Sequence, residues 1–161
     1  MGEVGREVID LNIEELIEDL NRGVAAELND AYRYLLVANT ISGPYASQLS
    51  SMFAEMSQHE WSHLGLLMQR IQQLGGRPMS RASSAEQYSY APYKPLPEDM
   101  TDIRTILEDS LEAERAAIRY WEALYEKTTH ADPVTADIAR SALADEVVDE
   151  DNLERFLEGW R

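Results

Sequence analysis

A chain of 161 residues with 30 acidic side chains and 14 lysines and arginines has a formal charge of −16 at pH 7. This charge balance argues against direct contact with DNA or RNA, because phosphate contacts need clustered Lys and Arg. The lack of cysteine excludes disulfides, thiolate metal sites and cysteine nucleophiles. The length fits one domain, and because no apolar run approaches the roughly 20 residues of a membrane span and the N-terminus lacks a signal-peptide pattern, we expect a cytoplasmic protein.

Two helices are predicted in the first half of the chain, from apolar residues that recur with a 3.6-residue period. The first begins at Asn12, an N-cap with Glu15 as its capping-box partner, and ends at the Ser-Gly-Pro of residues 42–44. The second covers about residues 45–74 and stops at the Gly-Gly-Arg-Pro of residues 75–78. The short break between them predicts antiparallel neighbours.

The second half of the chain repeats this pattern after a long connection. Residues 76–98 contain several prolines, tyrosines and serines and show no helical period. The third helix is predicted from Asp99, as N-cap, to about Thr128, and the fourth starts with Asp132-Pro133 and continues to Trp160.

The connections predict how the helices are arranged. A connection as long as residues 76–98 can return the chain along the whole length of a helix. The sequence therefore predicts an all-α protein, a four-helix bundle of two antiparallel hairpins joined by this crossover. We expect one domain over residues 1–161, with residues 1–11 as an N-terminal extension.

Ionisable side chains interrupt the apolar face of every predicted helix. The first and third helices carry one glutamate each, whereas the second and fourth carry a pair three residues apart, which places both side chains on one helix face. These residues are Glu27, Glu60, His63, Glu114, Glu146 and Asp149. Burying even a polar group without compensation costs about 2 to 7 kcal/mol, and metal cations compensate carboxylates. The sequence therefore predicts a metal site inside the bundle.

Four segments in chain order resemble the helix motifs of bacterioferritins and related ferritin-like proteins, which include the Dps-like proteins. In the first, a tyrosine follows the glutamate by seven residues, and the second combines the E-x-x-H pair with the Gly-Gly-Arg-Pro exit. The segments are residues 27–34, 60–78, 111–114 and 145–154. The resemblance extends over about residues 12–158 and includes the crossover, so it implies the ferritin-like fold.

The resemblance implies a di-iron carboxylate centre in which two glutamates bridge the metals. Glu60 and Glu146 would bridge, Glu27 and Glu114 would each bind one metal, and His63 would bind one metal. Oxygen-rich sites also accept manganese or zinc, so the sequence leaves the metal open.

Two further residues are assigned supporting roles by the resemblance. Tyr34 would donate a hydrogen bond to a ligand carboxylate, and Asp145 would accept one from the far ring nitrogen of His63, which fixes its tautomer. No haem is predicted, because Trp61 stands where haem-binding bacterioferritins have the axial methionine.

One departure from the family pattern concerns the second metal position. The fourth-helix pair ends in Asp149 where the family has histidine, and His59 stands where bacterioferritins have aspartate. We hypothesise that these residues form a cross-helix pair, with Asp149 either a metal ligand or only a partner of His59. Four glutamates balance two divalent ions, and Asp149 would add one negative charge that a protonated His59 cancels. Such a pair should raise the pKa of His59 and lower that of Asp149.

The function implied is that of a ferroxidase, which binds two Fe(II) and oxidises them with O₂ or H₂O₂ for iron storage or detoxification. The alternatives are a rubrerythrin-like di-metal oxidase or peroxidase that needs a separate reductase, and a structural bundle with a degenerate metal site. The chain ends without the fifth helix of cage-forming ferritins and has no basic N-terminal arm. We therefore expect a homo-oligomer, either a dimer or a small shell, that does not coat DNA.

Overall fold

The computed structural model describes residues 2–159, and Trp160, which was predicted to continue the fourth helix, lies outside this range. Within residues 2–159 there is no strand. The elements are α1 (Glu3–Glu7), α2 (Ile13–Thr40), α3 (Ala46–Leu74), a 3-10 turn (Ala82–Ser84), α4 (Ala85–Tyr88), α5 (Ile103–Thr128) and α6 (Pro133–Gly159). In this part of the chain no helix is long and apolar enough to cross a membrane.

The four long helices form two hairpins, as predicted. The most extensive packing joins α2 to α3 and α5 to α6, and these pairs are connected by short turns. The chain between α3 and α5 is the long crossover, which packs on α2 through α4. The prediction of an all-α bundle of two hairpins joined by a long crossover is confirmed, whereas the prediction that the crossover lacks helix is wrong at residues 82–88.

Local signals at three helix ends match the predictions. The side chain of Asn12 accepts hydrogen bonds from the backbone N–H groups of Glu14 and Glu15, at 3.0 and 3.4 Å. Gly75 ends α3 with φ +86°, a left-handed conformation that favours glycine. The carboxylate of Asp132 accepts from the backbone of Thr135 at 3.2 Å, which caps α6.

The predicted cap of the third long helix is wrong by three residues. Asp102, and not Asp99, accepts from the backbone N–H of Thr105 and caps α5. Asp99 accepts from the backbone and hydroxyl of Thr101, at 2.9 and 2.6 Å, and so forms a turn that precedes the helix. Two aspartates three residues apart both satisfy a capping pattern, and the sequence does not separate a turn from a cap.

The core consists of two apolar clusters, one towards each end of the bundle. The first includes Val24, Leu67 and Trp121, and the second includes Tyr34 and Phe53. In each long helix, one segment packs in the first cluster and another segment packs in the second. Ionisable residues lie between these two segments. Those residues are Glu27, Glu60, His63, Glu114 and Glu146, and all are buried. The bundle therefore contains a polar layer between two apolar halves.

A glycine in α2 lets the two hairpins approach each other next to this layer. A Cβ on Gly23 would lie 2.4 Å from the hydroxyl of Tyr120 and 2.9 Å from Leu67 Cδ1. The same hydroxyl donates to the backbone carbonyl of Asp19 at 3.0 Å, which holds the Tyr120 ring in place.

Replacing Gly23 by alanine should therefore destabilise the protein by about 1 to 3 kcal/mol, the usual cost of overpacking. Gly65→Ala is the matched control, because nothing lies within 4 Å of its Cβ position and alanine is favoured over glycine in a helix by about 1 kcal/mol. Urea unfolding of both variants should show opposite changes in the midpoint. Equal stability of the two variants would contradict the close approach at Gly23.

Candidate metal centre

Three of the long helices bring four ionisable side chains into one small volume. Glu27 of α2, Glu60 and His63 of α3, and Glu146 of α6 each offer one ligand atom, and these atoms lie within 4.8 Å of one another. Burial of all four side chains removes the water that would otherwise solvate their charges. The spacing in α3 accounts for its two contributions, since residues three apart share a helix face.

His63 is oriented with one ring nitrogen towards this cluster and the other away from it. Its Nδ1 lies 3.1 Å from Glu146 Oε1, 3.4 Å from Glu27 Oε2 and 3.5 Å from Glu60 Oε2. Its Nε2 lies 3.2 Å from Oδ2 of Asp145, a half-exposed residue at the rim. With the Nε2 proton donated to Asp145, the lone pair of Nδ1 points into the cluster, where it can bind a metal.

The remaining long helix, α5, contributes Glu114, which is fixed by neighbours on both sides. The hydroxyl of Tyr34 donates to Glu114 Oε1 at 2.5 Å, and the carboxyl groups of Glu114 and Glu146 contact each other. The indole N–H of Trp121 donates to Glu146 Oε1 at 3.1 Å. Tyr34 therefore has the contact that the resemblance implies, and each of these two carboxylates is held by one aromatic donor.

Crowding of the carboxyl groups changes their acidity. Burial raises the pKa of Glu60 and Glu114 well above 4.5, and neighbouring carboxylates raise both further. Burial also raises the pKa of Glu27 and Glu146, although hydrogen bonds to their neighbours offset part of this effect. For His63 burial acts to lower the pKa, but the carboxyl groups of Glu146, Glu27 and Glu60, which lie within 3.5 Å of its Nδ1, outweigh it and raise the pKa. Without a metal, the carboxyl groups of the folded cluster therefore hold their protons to higher pH than ordinary glutamates do.

Several buried atoms of the cluster lack hydrogen-bond partners, and this favours a cation. The unpartnered atoms are Glu27 Oε2, His63 Nδ1, Glu114 Oε2 and Glu146 Oε2. Buried polar atoms without partners are rare in native proteins, and all four of these are carboxylate oxygens or an imidazole nitrogen, atom types that can bind a metal. Oxygen and nitrogen donors of this kind suit iron, manganese or zinc. The residues present therefore fit a metal site.

The pair formed by His59 and Asp149 lies beside the cluster. Asp149 Oδ2 is 2.8 Å from His59 Nδ1, so the structure contains the cross-helix contact that the exchanged residue types predict. Partial burial would lower the pKa of His59, but the hydrogen bond to Asp149 outweighs it and raises the pKa. The prediction that the pKa of Asp149 is lowered is wrong, because burial raises it and the contact with His59 offsets only part of that effect.

Removing His59 and removing Asp149 should destabilise the protein to different extents. Asp149 is buried, so its carboxylate would have neither water nor a partner after His59 is removed. The side chain of His59 is 40% exposed, so water can solvate it after Asp149 is removed. We expect His59→Ala to destabilise the metal-free protein by about 1 to 3 kcal/mol, and Asp149→Ala to cost less.

The double variant His59→Ala/Asp149→Ala should recover part of the loss seen in His59→Ala. Urea unfolding of the wild type, both single variants and the double variant measures this coupling. Additive effects of the two substitutions would show that the contact contributes nothing to stability.

Two residues at the cluster were not identified from the sequence. Trp121 follows Glu114 by seven residues, the same spacing as Tyr34 after Glu27, and that repeated spacing could have indicated it. Tyr90, whose hydroxyl lies 3.5 Å from Glu27 Oε1, comes from the crossover. No periodicity exists there to predict which side chains face the bundle.

Comparisons with known proteins agree with this geometry. The model of the family described as ferritin-like domain matches residues 17–161. The DNA protection during starvation protein of Pyrococcus furiosus is 29% identical over 149 residues, covering 92% of this chain and 80% of that protein.

Two solved structures that are 27% identical to this chain are also similar to it in fold. The bacterioferritin-related protein of Bacteroides fragilis, described as a dodecameric thioferritin, has a TM-score of 0.87 and 27% identity, and the match covers 92% of this chain and 88% of that one. A ferritin-like diiron-carboxylate protein of Bacillus anthracis has a TM-score of 0.75 and 27% identity, with 90% and 96% of the two chains covered.

Proposed function

Because the chain belongs to the ferritin-like domain family, we propose that it binds two Fe(II) ions inside the bundle and oxidises them with O₂ or H₂O₂. The observation that carries this proposal is the buried cluster of unpartnered carboxylate oxygens and one imidazole nitrogen, contributed by four helices. The related diiron-carboxylate protein of Bacillus anthracis supports it.

In this proposal the ligands divide into bridging and terminal groups. Glu60 and Glu146 bridge the two ions, Glu27 and Glu114 each bind one, and His63 binds one through Nδ1. The resemblance to the family pattern implies this division, and the contacts are compatible with it, since Glu60 contacts Glu27 and Glu146 contacts Glu114. Four carboxylates neutralise two divalent ions.

The neighbouring side chains hold these ligands in position. The Asp145 carboxylate accepts a hydrogen bond from Nε2–H of His63, which leaves the lone pair of Nδ1 free to bind a metal. Tyr34 and Trp121 donate to Glu114 and Glu146 and so restrict their rotation. We propose that Asp149 remains with His59 and is not a ligand, because its Oδ2 is already 2.8 Å from that imidazole.

The electrons come from the iron substrate. Each Fe(II) loses one electron, so two ions supply the two electrons that reduce O₂ to H₂O₂ or H₂O₂ to water. The protein contributes anionic oxygen ligands, which stabilise the more highly charged Fe(III) product.

Oxidation of Fe(II) by the purified protein in air tests this proposal. The rate should exceed that of the buffer alone, and Fe(III) should accumulate as mineral after repeated additions. A rate equal to the buffer blank would contradict the proposal. Oxidation that returns the protein to its starting state without mineral would instead indicate the rubrerythrin-like oxidase.

Assembly and partners are proposed from the surface. Tyr32, Leu35 and Trp61 are exposed on α2 and α3, and the relative from Bacteroides fragilis is described as dodecameric. We therefore propose a homo-oligomer, whose copy number a native mass measurement gives. The charge of −16 supports a function without direct contact to nucleic acid, although the relative from Pyrococcus furiosus is named for DNA protection.

A further inference from the structure

A cavity lies beside the candidate metal centre, between α2, α5 and the crossover. Its volume is about 460 Å³, which is in the range of pockets that bind small organic molecules. Its walls include three tyrosines, Tyr90, Tyr93 and Tyr120, and the small residues Ala113 and Ala116. Tyr90 and Tyr120 stack with their ring centroids 4.3 Å apart. The cavity therefore offers aromatic surface to a ligand.

A buried arginine lines this cavity and is only partly satisfied. Arg33 is 1% exposed, and it donates through Nε to the carbonyl of Lys94 at 3.1 Å and through Nη1 to Ser110 Oγ at 2.8 Å. Its Nη2 has no hydrogen-bond partner, and neither does Nδ2 of Asn29, which lines the same cavity. Two buried nitrogen donors therefore lack acceptors at one site.

The charge of Arg33 acts on that of Asp30 without a direct ion pair. Among residues 2–159 no ion pair involves Arg33, although Asp30 lines the same cavity. The acidic residues Asp109 and Glu112 are instead both engaged by Lys94. Burying a guanidinium without a directly paired counter-charge is unfavourable, so an anionic ligand that accepts a hydrogen bond from it would reduce this penalty.

From this combination we infer that the cavity binds a small organic carboxylate. The carboxylate oxygens accept hydrogen bonds from Arg33 Nη2 and Asn29 Nδ2, and the apolar body of the ligand packs against Tyr90, Tyr93 and Tyr120. A carboxylate suits the guanidinium because its two oxygens accept charge-assisted hydrogen bonds. An inorganic oxoanion would leave the aromatic walls without a partner.

Ligand binding at this site is independent of the proposed iron oxidation. One side chain, that of Tyr90, lies between the cavity and the candidate metal centre. The hydroxyl of Tyr90, which forms part of the cavity wall, lies 3.5 Å from Glu27 Oε1. The side chain of Tyr90 therefore contacts both the cavity and the candidate metal centre. Because binding of a carboxylate does not require iron, failure of this inference and failure of the iron chemistry are distinguishable.

Calorimetric titration of the full-length protein with benzoate, benzamide and inorganic phosphate tests the inference. Benzoate should bind saturably with one site per chain, and benzamide and phosphate should bind about tenfold more weakly or worse, because each lacks either the charge or the apolar body. Absence of saturable benzoate binding would overturn the inference. Binding of phosphate as tight as that of benzoate would also overturn it, because the site would then be one for inorganic oxoanions.

Two variants locate the site, and one variant serves as control. Arg33→Gln should weaken benzoate binding about tenfold or more, whereas Arg104→Gln, which removes the same charge from an exposed position, should not change it. Ala116→Leu should abolish binding by filling the cavity without changing its charge, and it decides the question if Arg33→Gln does not fold. Benzoate binding that is unchanged in Ala116→Leu would place the ligand elsewhere and overturn the inference.

Discussion

Substitution of Glu60 by alanine is expected to reduce Fe(II) oxidation to the rate of the buffer alone. Glu60 is 2% exposed, its carboxylate contacts both Glu27 and His63, and in the proposed arrangement it joins the two ions. Its loss removes a ligand from both positions at once. Stopped-flow measurement of Fe(II) oxidation in air compares the variant with the wild type, and Glu55→Ala, an exposed glutamate of the same helix, should oxidise iron like the wild type.

Loss of folding is excluded as an explanation by a second variant. Glu60→Gln keeps the side-chain volume, and because burial and neighbouring carboxylates raise the pKa of Glu60 well above 4.5, removing this group relieves repulsion. The metal-free Glu60→Gln protein should be at least as stable as the wild type in urea, yet it should oxidise iron no faster than the buffer. Wild-type oxidation rates in either Glu60 variant would remove this residue from the centre.

Stability of the metal-free protein should fall as the pH rises from 5 to 8, on the order of several kcal/mol. Burial raises the pKa of Glu60, Glu114, Glu27 and Glu146 above the ordinary 4.5, and it raises the pKa of Asp30 to about 8. The folded state therefore binds more protons than the unfolded state. This stability is complete below the unfolded pKa and is lost as the pH rises through the folded pKa. Each tenfold difference in proton affinity contributes about 1.4 kcal/mol.

A divalent metal should reverse this dependence. Mn(II), which does not require oxidation to bind, replaces the protons and is favoured at higher pH because its ligands must be deprotonated. At 100 times its dissociation constant it should stabilise the protein by about 2.7 kcal/mol for each site. Urea unfolding at several pH values with and without Mn(II) measures both effects. The Glu60→Gln variant should show a weaker pH dependence than the wild type, whereas Glu55→Gln should not.

The same measurements distinguish a pH dependence caused by the buried cluster from one caused by the surface charge. If Glu60→Gln and Glu55→Gln had the same pH dependence, the decline would come from the net charge of −16 and not from the buried glutamates. Loss of stability on adding Mn(II) would mean that the metal binds the unfolded chain more tightly than the folded one.

Much of the fold could be predicted because local signals and periodicity agree. Asn12 and Asp132 cap helices where the sequence predicts caps, and Gly75 ends α3. The misplaced cap at Asp99 and the unpredicted helical turn at residues 82–88 both lie in the crossover region. In that region tertiary packing, and not a repeated apolar pattern, determines the local conformation.

The candidate site was predictable to the extent that it lies on regular helices. The ligand atoms of Glu27, Glu60, His63 and Glu146 converge because the 3.6-residue period fixes which side chains share a face. Tyr90 was not predictable, because the crossover brings it to Glu27 through contacts distant in sequence. The direction of the Asp149 pKa was also missed, since its sign depends on how deeply the residue is buried.

In the proposed function this bundle holds two divalent ions per chain. Anaerobic calorimetric titration of the metal-free protein with Fe(II) tests it most directly, because it measures stoichiometry without relying on oxidation. We expect two Fe(II) per chain in the wild type and loss of this binding in Glu60→Gln. A stoichiometry of one or none in the wild type, or two in Glu60→Gln, would contradict the proposed function.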